Sequence, residues 1–261
     1  MAKTSKRLVI DDYASCRIGG PGDIRRAAEA LHALSMERGL RAAIAHDIAD
    51  KRTPVDLEGN VLAREVFGWS DNEKVWWRNS RIALDSPLTS ACRFECEPFW
   101  MNRDGIHSRL PNPYLEQMNL ANFEKRALTR AALVVPVHMP FGLIGVASFN
   151  PLDADKTDLS DVFEAHAEVL AHHARTFISD YALVMGTEQA LPAGSRLSKR
   201  EVECLRWAAI GKTDLEISMI MSRSRATVRF HIKNASTKLN SVNRSQTLFK
   251  ASQLGYISLG T

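Results

Sequence analysis

The chain has 261 residues, of which 45% are apolar and 25% are charged, and its formal net charge is +4 at pH 7. This length exceeds what one small hydrophobic core requires and suits two globular domains. The four cysteines are scattered, and Cys92-x-x-x-Cys96 lacks the second ligand pair that a zinc site needs. We therefore expect neither a disulfide framework nor a bound metal.

Two sequence features bear on localisation. Met1–Arg7 is basic, but no apolar segment follows it, so a secretory signal peptide is not expected. Ala131–Phe149 is mostly apolar, but two prolines and a glycine divide it into two strands and a turn. We expect a soluble cytoplasmic protein without a membrane partner.

Several helices and one strand are predicted in the first 130 residues. A helix is predicted over residues 23–37 and a strand over Leu40–His46. Asn112 and Pro113 stand at the cap and first position of a helix predicted over Tyr114–Arg130. Two more helices are predicted, one from Ser70 through Trp76-Trp77 toward Leu84 and one opened by Asp85-Ser86-Pro87.

Two strands, Ala132–His138 and Leu143–Phe149, precede a long helix predicted over Ser160–Met185. Helices around a few strands that are distant in sequence predict an α+β protein whose first domain is an α/β/α sandwich. Its sheet is expected to be antiparallel, with a GAF-like layout. The predicted division is a domain over 1–185, a linker containing proline and glycine over 186–196, and a helical domain over 197–261.

The last 65 residues contain four sequences typical of helix N-caps. In a capping box, the side chain of the cap accepts the N3 amide and the N3 side chain reaches back to the cap amide. Such caps predict four short helices in this domain. The cap sequences are Ser198-x-x-Glu201, Thr213-x-x-Glu216, Ser224 and Asn243-x-x-Gln246.

The third of these helices has two unlike faces. Its apolar line contains Val228, Ile232, Ala235 and Leu239. At 100° per residue the opposite face is basic and aromatic, so helices two and three predict a helix–turn–helix with a recognition helix. Residues 197–261 carry 11 Lys and Arg against 4 Asp and Glu, and the rest of the chain carries 23 against 26. This asymmetry is expected when one end of a protein meets phosphate.

The predicted DNA contacts fall into two groups. Side chains on the exposed face of the third helix are candidates for reading bases, and those at helix starts for positioning the DNA backbone. The candidates are Lys212, Thr213, Ser224, Arg225, Thr227, Arg229, Phe230 and Lys233.

This region resembles the LuxR-type, or GerE-type, helix–turn–helix. Among the matching landmarks are Gly211-Lys212-Thr213, Glu216-Ile217, Thr227-Val228 and Asn243-Arg244. The resemblance implies sequence-specific binding to double-stranded DNA, control of transcription and contact with RNA polymerase. Because one such domain covers a half-site, a homodimer on a palindromic operator is expected.

Residues 20–180 resemble, more weakly, the autoinducer-binding domain of quorum-sensing LuxR-type regulators. The family's pocket lies between the sheet and a layer of helices and holds an acyl-homoserine lactone. Asp85 is similar to the family's aspartate, although Ser86 separates it from Pro87. The resemblance implies a small-molecule effector. The candidate pocket residues are Trp76, Trp77, Asp85, Phe94, Phe99, Trp100, Ala132, Val134 and Phe149.

The sequence also departs from that pattern. No tyrosine occurs between Tyr13 and Tyr114, so the residue that bonds the acyl amide in the family is missing. Trp76 and Trp77 offer flat apolar area and one N–H donor each in its place. We therefore expect an aromatic or polycyclic effector, with a classical acyl-homoserine lactone receptor as the alternative.

Two other functional classes are less well supported. Asp11-Asp12 resembles the start of a response-regulator receiver, with Asp56 near the distance of the phosphorylated residue, but the chain contains no Lys-Pro. No G-x-S-x-G, P-loop or dinucleotide motif occurs, so an enzyme and a cofactor are not expected. A GAF-like enzyme fused to DNA-binding helices remains an alternative.

Overall fold

The computed structural model describes residues 15–49, 52–70, 84–186 and 196–258. These residues belong to two compact units, one formed by the described residues of 15–139 and 143–186 and one by those of 140–142 and 196–258. The predicted helix from Ser70 through the tryptophan pair and most of the predicted linker lie outside the described residues. Among the helices that are described, none has the length and hydropathy needed to cross a bilayer.

The first unit is built on a five-stranded sheet in which every neighbouring pair is antiparallel. Its strand order is β1-β5-β4-β2-β3. The central strands β4 and β5 are the longest and are joined by the short turn 140–142. The strands are β1 (Leu40–Ala45), β2 (Phe99–Asn102), β3 (Ile106–Ser108), β4 (Ala131–His138) and β5 (Ile144–Pro151).

The two faces of the sheet support separate cores, because successive side chains of a strand point to opposite faces. On the first face, Leu133 and Val135 of β4 pack in one cluster with α1 (Ile24–Met36), α2 (Leu62–Glu65) and α6 (Ser160–Met185). On the second face, Phe99 of β2 and Val134 of β4 pack in another cluster with short helices. Those helices are α3 (Pro87–Ala91), α4 (Pro113–Glu116) and α5 (Phe123–Ala127). The predicted α/β/α sandwich is confirmed.

The helix predicted over Tyr114–Arg130 is wrong as a single element. Asn112 does cap its start, accepting the amide of Tyr114 at 3.1 Å. The chain then leaves the helix after Glu116 and re-enters one at Phe123. Asn122 has φ 55° and Leu128 has φ 58°, both in the left-handed region that a continuous helix excludes.

The receiver alternative is contradicted by this fold. Receivers have a parallel, doubly wound sheet, whereas this sheet is antiparallel. Asp56 is 2% exposed, and its carboxylate accepts hydrogen bonds from Arg25, from the amide of Glu58 and from both nitrogens of Asn60. A carboxylate enclosed by four donors fixes the loop onto α1 and is not accessible to a phosphoryl donor.

In the second unit, the described residues 196–258 form four α-helices, as predicted. They share two apolar clusters, one around Leu205, Ala235 and Leu239 and one around Ile217, Val228 and Ile232. The helices are α7 (Lys199–Ala209), α8 (Asp214–Ile220), α9 (Arg225–Lys238) and α10 (Arg244–Gln253).

Candidate nucleic-acid interface and ligand pocket

The predicted caps form in the second unit. Ser198 and Thr213 each make both hydrogen bonds of a capping box, with Glu201 and Glu216. The hydroxyl of Ser224 accepts the amide of Thr227 at 3.0 Å, which starts α9. Each bond spans three residues, so the local sequence is sufficient to set the start of each helix.

The turn between α8 and α9 is short and uses one left-handed residue. Ser222 has φ 50°, and the amide of Arg223 donates to the carbonyl of Ser218 at 2.9 Å. This arrangement resembles a glycine-type helix stop without a glycine. It brings α9 directly after α8, which produces helix–turn–helix geometry.

Helix α9 buries one face and exposes the other. Val228 and Ala235 are fully buried, and Ile232 and Leu239 are nearly so. Arg225, Arg229, Phe230 and Lys233 are exposed, and Phe230 shows 60% of its surface to solvent. An exposed aromatic ring between basic side chains is suited to a partner that offers both charge and apolar groups, as the major groove of DNA does.

The candidates at helix starts already have protein partners. Lys212 lies 3.4 Å from the carboxylate of Glu216. The hydroxyls of Thr213 and Ser224 are occupied by the caps. The first turn of α9 carries no acidic side chain, so its backbone amides are the ones that favour an anion.

An acidic residue that no sequence pattern indicates lies between these helices. Asp214, the first residue of α8, accepts from Nε of Arg229 at 3.3 Å and also pairs with Arg244. Burial by itself raises the pKa of Asp214, but the guanidinium groups of Arg244 and Arg229 outweigh it, and the pKa is lowered. The pairs span 15 and 30 residues, so no local spacing rule predicts them.

The predicted pocket residues do not line one cavity. Phe99, Ala132 and Val134 are fully buried on the second face of the sheet. Trp100 and Phe149 belong to the first face, and the Trp100 ring stacks on His107 at 3.9 Å. The expectation of a single pocket is therefore wrong. Phe99 and Trp100 are adjacent in β2, so their side chains point to opposite faces of the sheet. The register agrees, since Phe99 stands opposite Val134 and Trp100 opposite Leu133.

Two other candidates are exposed, and two lie outside the described residues. The Asp85 side chain is 64% exposed and lies 3.6 Å from Arg126, whose Nε donates to the Asp85 carbonyl at 3.0 Å. Phe94 is 51% exposed and stacks on Tyr114. Asp85 was expected to be enclosed, but its carboxylate lies at the surface. Trp76 and Trp77 are among the residues that the structure does not describe.

Sequence reasoning also missed a buried polar pair on the second face. Ser148 and Asn150 of β5 are 6% and 8% exposed, and their side chains lie 3.4 Å apart. Ser148 stands opposite Val134 in the register. Beyond Asn150, a cavity of about 300 Å³ is lined by Arg41 and Trp69 among others. The polar residues alternate along β5, a signal that was present in the sequence.

Comparisons with known proteins give a family match within the second unit and alignments with relatives that are longer than that unit. Residues 195–251 match the model of the bacterial regulatory proteins of the luxR family. VjbR of Brucella abortus, an HTH-type quorum sensing-dependent transcriptional regulator, is 36% identical over 146 residues, which cover 54% of this chain and 52% of VjbR. The transcriptional activator LuxR of Aliivibrio fischeri is 35% identical over 124 residues, 47% of this chain and 48% of that protein.

These matches span about half the length of the curated relatives. Among solved structures, the crystal structure of Escherichia coli SdiA aligns over 92% of this chain and 93% of its own, with 21% identity and a TM-score of 0.46. The four caps, the helix–turn–helix and the family match agree over the same stretch. Residues 195–251 are therefore a helix–turn–helix domain of the luxR family of bacterial regulatory proteins.

Proposed function

We propose that this chain is a one-component transcription regulator that binds double-stranded DNA as a homodimer through α9 and responds to a small molecule held by its first unit. The observation that carries the proposal is the exposed face of α9, which presents Arg225, Arg229, Lys233 and Phe230. Arginine and lysine read guanine edges, and an aromatic ring can touch a thymine methyl group. The relatives named as transcriptional regulators support the same function.

The first test is selection of binding sites by the full chain from a library of randomised duplexes. A preferred, palindromic sequence is expected, and its affinity should fall steeply with salt because Lys and Arg release counterions from the phosphates. Enrichment of no sequence above the starting library would contradict the proposal.

For the effector we propose a site on the second face of the sheet. Phe99, Ala132 and Val134 supply its apolar wall, and Ser148 and Asn150 supply polar groups that can bond a ligand. The effector that suits this chain is flat and aromatic or polycyclic, because the stretch before Asp85 has two tryptophans and no tyrosine. The alternative is an acyl-homoserine lactone, whose amide and lactone oxygens would use the same polar pair.

A thermal-shift panel on the full chain separates these effectors. The probes are a straight-chain N-octanoyl homoserine lactone and a set of flat aromatic amides. A ligand at 100 times its Kd stabilises the folded state by about 2.7 kcal/mol, so a true effector gives a clear shift. Ser148→Ala should reduce that shift, whereas Trp100→Phe, on the other face, should leave it intact. A shift with the lactone alone would favour the alternative.

A further inference from the structure

Asp214 connects three helices of the second unit through one carboxylate. Its Oδ2 accepts from Nε of Arg229 in α9 at 3.3 Å, and its Oδ1 accepts from Arg244 in α10. Arg244 also donates to the carbonyl of Lys212 at 2.9 Å. The Asp214 side chain is 18% exposed and that of Arg229 is 61% exposed. The mostly buried carboxylate of Asp214 therefore contacts an Arg229 side chain that is largely exposed.

We infer that Asp214 is a positioning residue that fixes the guanidinium of Arg229 for reading a base pair. The inference rests on the proposed DNA-binding function. The hydrogen bond to Asp214 uses Nε, so the two terminal amino groups of Arg229 can meet two acceptors. Guanine presents such a pair, N7 and O6, in the major groove. An arginine fixed at one atom also loses less rotamer freedom when it binds.

The charge of Asp214 gives this role a distinctive signature. A carboxylate near DNA repels phosphate, so removing its charge should strengthen binding to any sequence. If Asp214 also positions Arg229, the same change should weaken the preference for the correct sequence. Affinity for random DNA and sequence preference should thus move in opposite directions, which a loss of stability alone would not produce.

The experiment compares the full-length wild type with Asp214→Asn by fluorescence anisotropy. The probes are the duplex selected by the wild type and a scrambled duplex of equal length and composition. Asp214→Asn should bind the scrambled duplex at least as tightly as the wild type does. The ratio of its affinity for the selected duplex to its affinity for the scrambled duplex should fall by about fivefold or more. Fivefold is about the low end of the discrimination that one bidentate base contact provides. Arg229→Ala should lower the ratio similarly, and the double variant should lower it no further.

A matched control removes an equal charge away from Arg229. Glu203 of α7 pairs with Arg200, so Glu203→Gln should change both affinities together and leave their ratio unchanged. Thermal melts check that each variant folds. Should Asp214→Asn fold poorly, Asp214→Ser serves as the second variant, because serine also removes the carboxylate and costs little helix propensity.

The results separate the inference from the function on which it rests. Selection that returns no preferred sequence overturns both. A preferred sequence whose affinity ratio is unchanged in Asp214→Asn and Asp214→Ser overturns the positioning role alone. A double variant with a much lower ratio than Arg229→Ala also overturns it, because Asp214 would then act independently of Arg229.

Discussion

Glu201 connects the start of α7 to the end of α9. Its carboxylate accepts the amide of Ser198 at 2.7 Å, which completes the capping box. The same carboxylate accepts the ammonium of Lys238 at 2.8 and 2.9 Å. The Glu201 side chain is 4% exposed and that of Lys238 is 35% exposed. One side chain thus serves both a local cap and a contact between helices distant in sequence.

Glu201→Gln should therefore destabilise the second unit. The amide still caps α7, but the Lys238 ammonium loses a charged partner that is itself almost fully buried. We expect a loss of about 1.5–3 kcal/mol, below the value for a fully buried pair because Lys238 still reaches water. Hydrogen exchange of α7 and α9 in the full chain measures it. Glu216→Gln is the matched control, since it alters an exposed capping box and should cost much less than Glu201→Gln. Equal losses in the two variants would contradict this account.

The same pair should make stability depend on pH. Burial raises the pKa of Glu201, but the hydrogen bonds from Lys238 and Ser198 outweigh it, and the pKa lies below its usual value. A depressed folded pKa contributes stability above the unfolded value of about 4.3, which is lost as pH falls through the folded pKa. The difference between wild type and Glu201→Gln should be full at pH 7 and shrink below about pH 4. A difference that stays constant down to pH 3 would exclude the ion pair as its source.

At the scale of secondary structure elements, β5 and α6 approach closely at Gly145. A Cβ built there would lie 2.4 Å from the Ile178 Cγ2 atom and 3.2 Å from the carbonyl oxygens of Ala45 and His46. Ile178 is fully buried in the core of the first face, so it has little room to move. The lack of a side chain at Gly145 is what lets helix and strand pack at this distance.

Gly145→Ala should destabilise the first unit by about 1–3 kcal/mol through overpacking. Gly22→Ala is the control, because a Cβ at that position meets nothing within 4 Å. Hydrogen exchange of β4 and β5 in the full chain reports the change. If Gly145→Ala and Gly22→Ala behave alike, the contact with Ile178 is not a constraint.

Features that depend on neighbouring residues could be predicted from the sequence, whereas contacts between distant residues could not. The caps at Ser198, Thr213 and Ser224 were predictable because each depends on residues three positions apart. The placement of Phe99 and Trp100 in one pocket was wrong, because adjacent residues of a strand point to opposite faces and this stretch was not recognised as a strand. Asp214 was missed because its partners are assembled only by the tertiary fold.

At the scale of the whole molecule, charge is divided between the two parts of the chain. Residues 197–261 have a balance of +7, whereas the remaining residues have a balance of −3. A basic module attracts DNA at long range and speeds association at low salt. The acidic remainder does not add to that attraction, so DNA is expected to approach the second unit first.

A single α9 reads one half-site, so the proposed regulator should bind a palindrome as a dimer. Its half-sites should lie about 10 bp apart, one helical turn of DNA. Candidate contacts are α10 and α6, which leave Phe249 61% and Leu183 79% exposed. A second copy that packed on these helices would bury this apolar surface.

Sedimentation of the full chain with the selected duplex tests whether the protein binds as a dimer. Two chains per palindrome are expected, and Phe249→Ser should raise the concentration needed for the second chain to bind, because it removes apolar area from the contact. Leu57→Ser, which alters a 62% exposed leucine in a loop, should leave the stoichiometry and affinity unchanged. Moving the half-sites apart by 5 bp places them on opposite sides of the duplex and should abolish paired binding. One chain bound to one half-site, whatever the spacing, would show that the protein recognises DNA as a monomer.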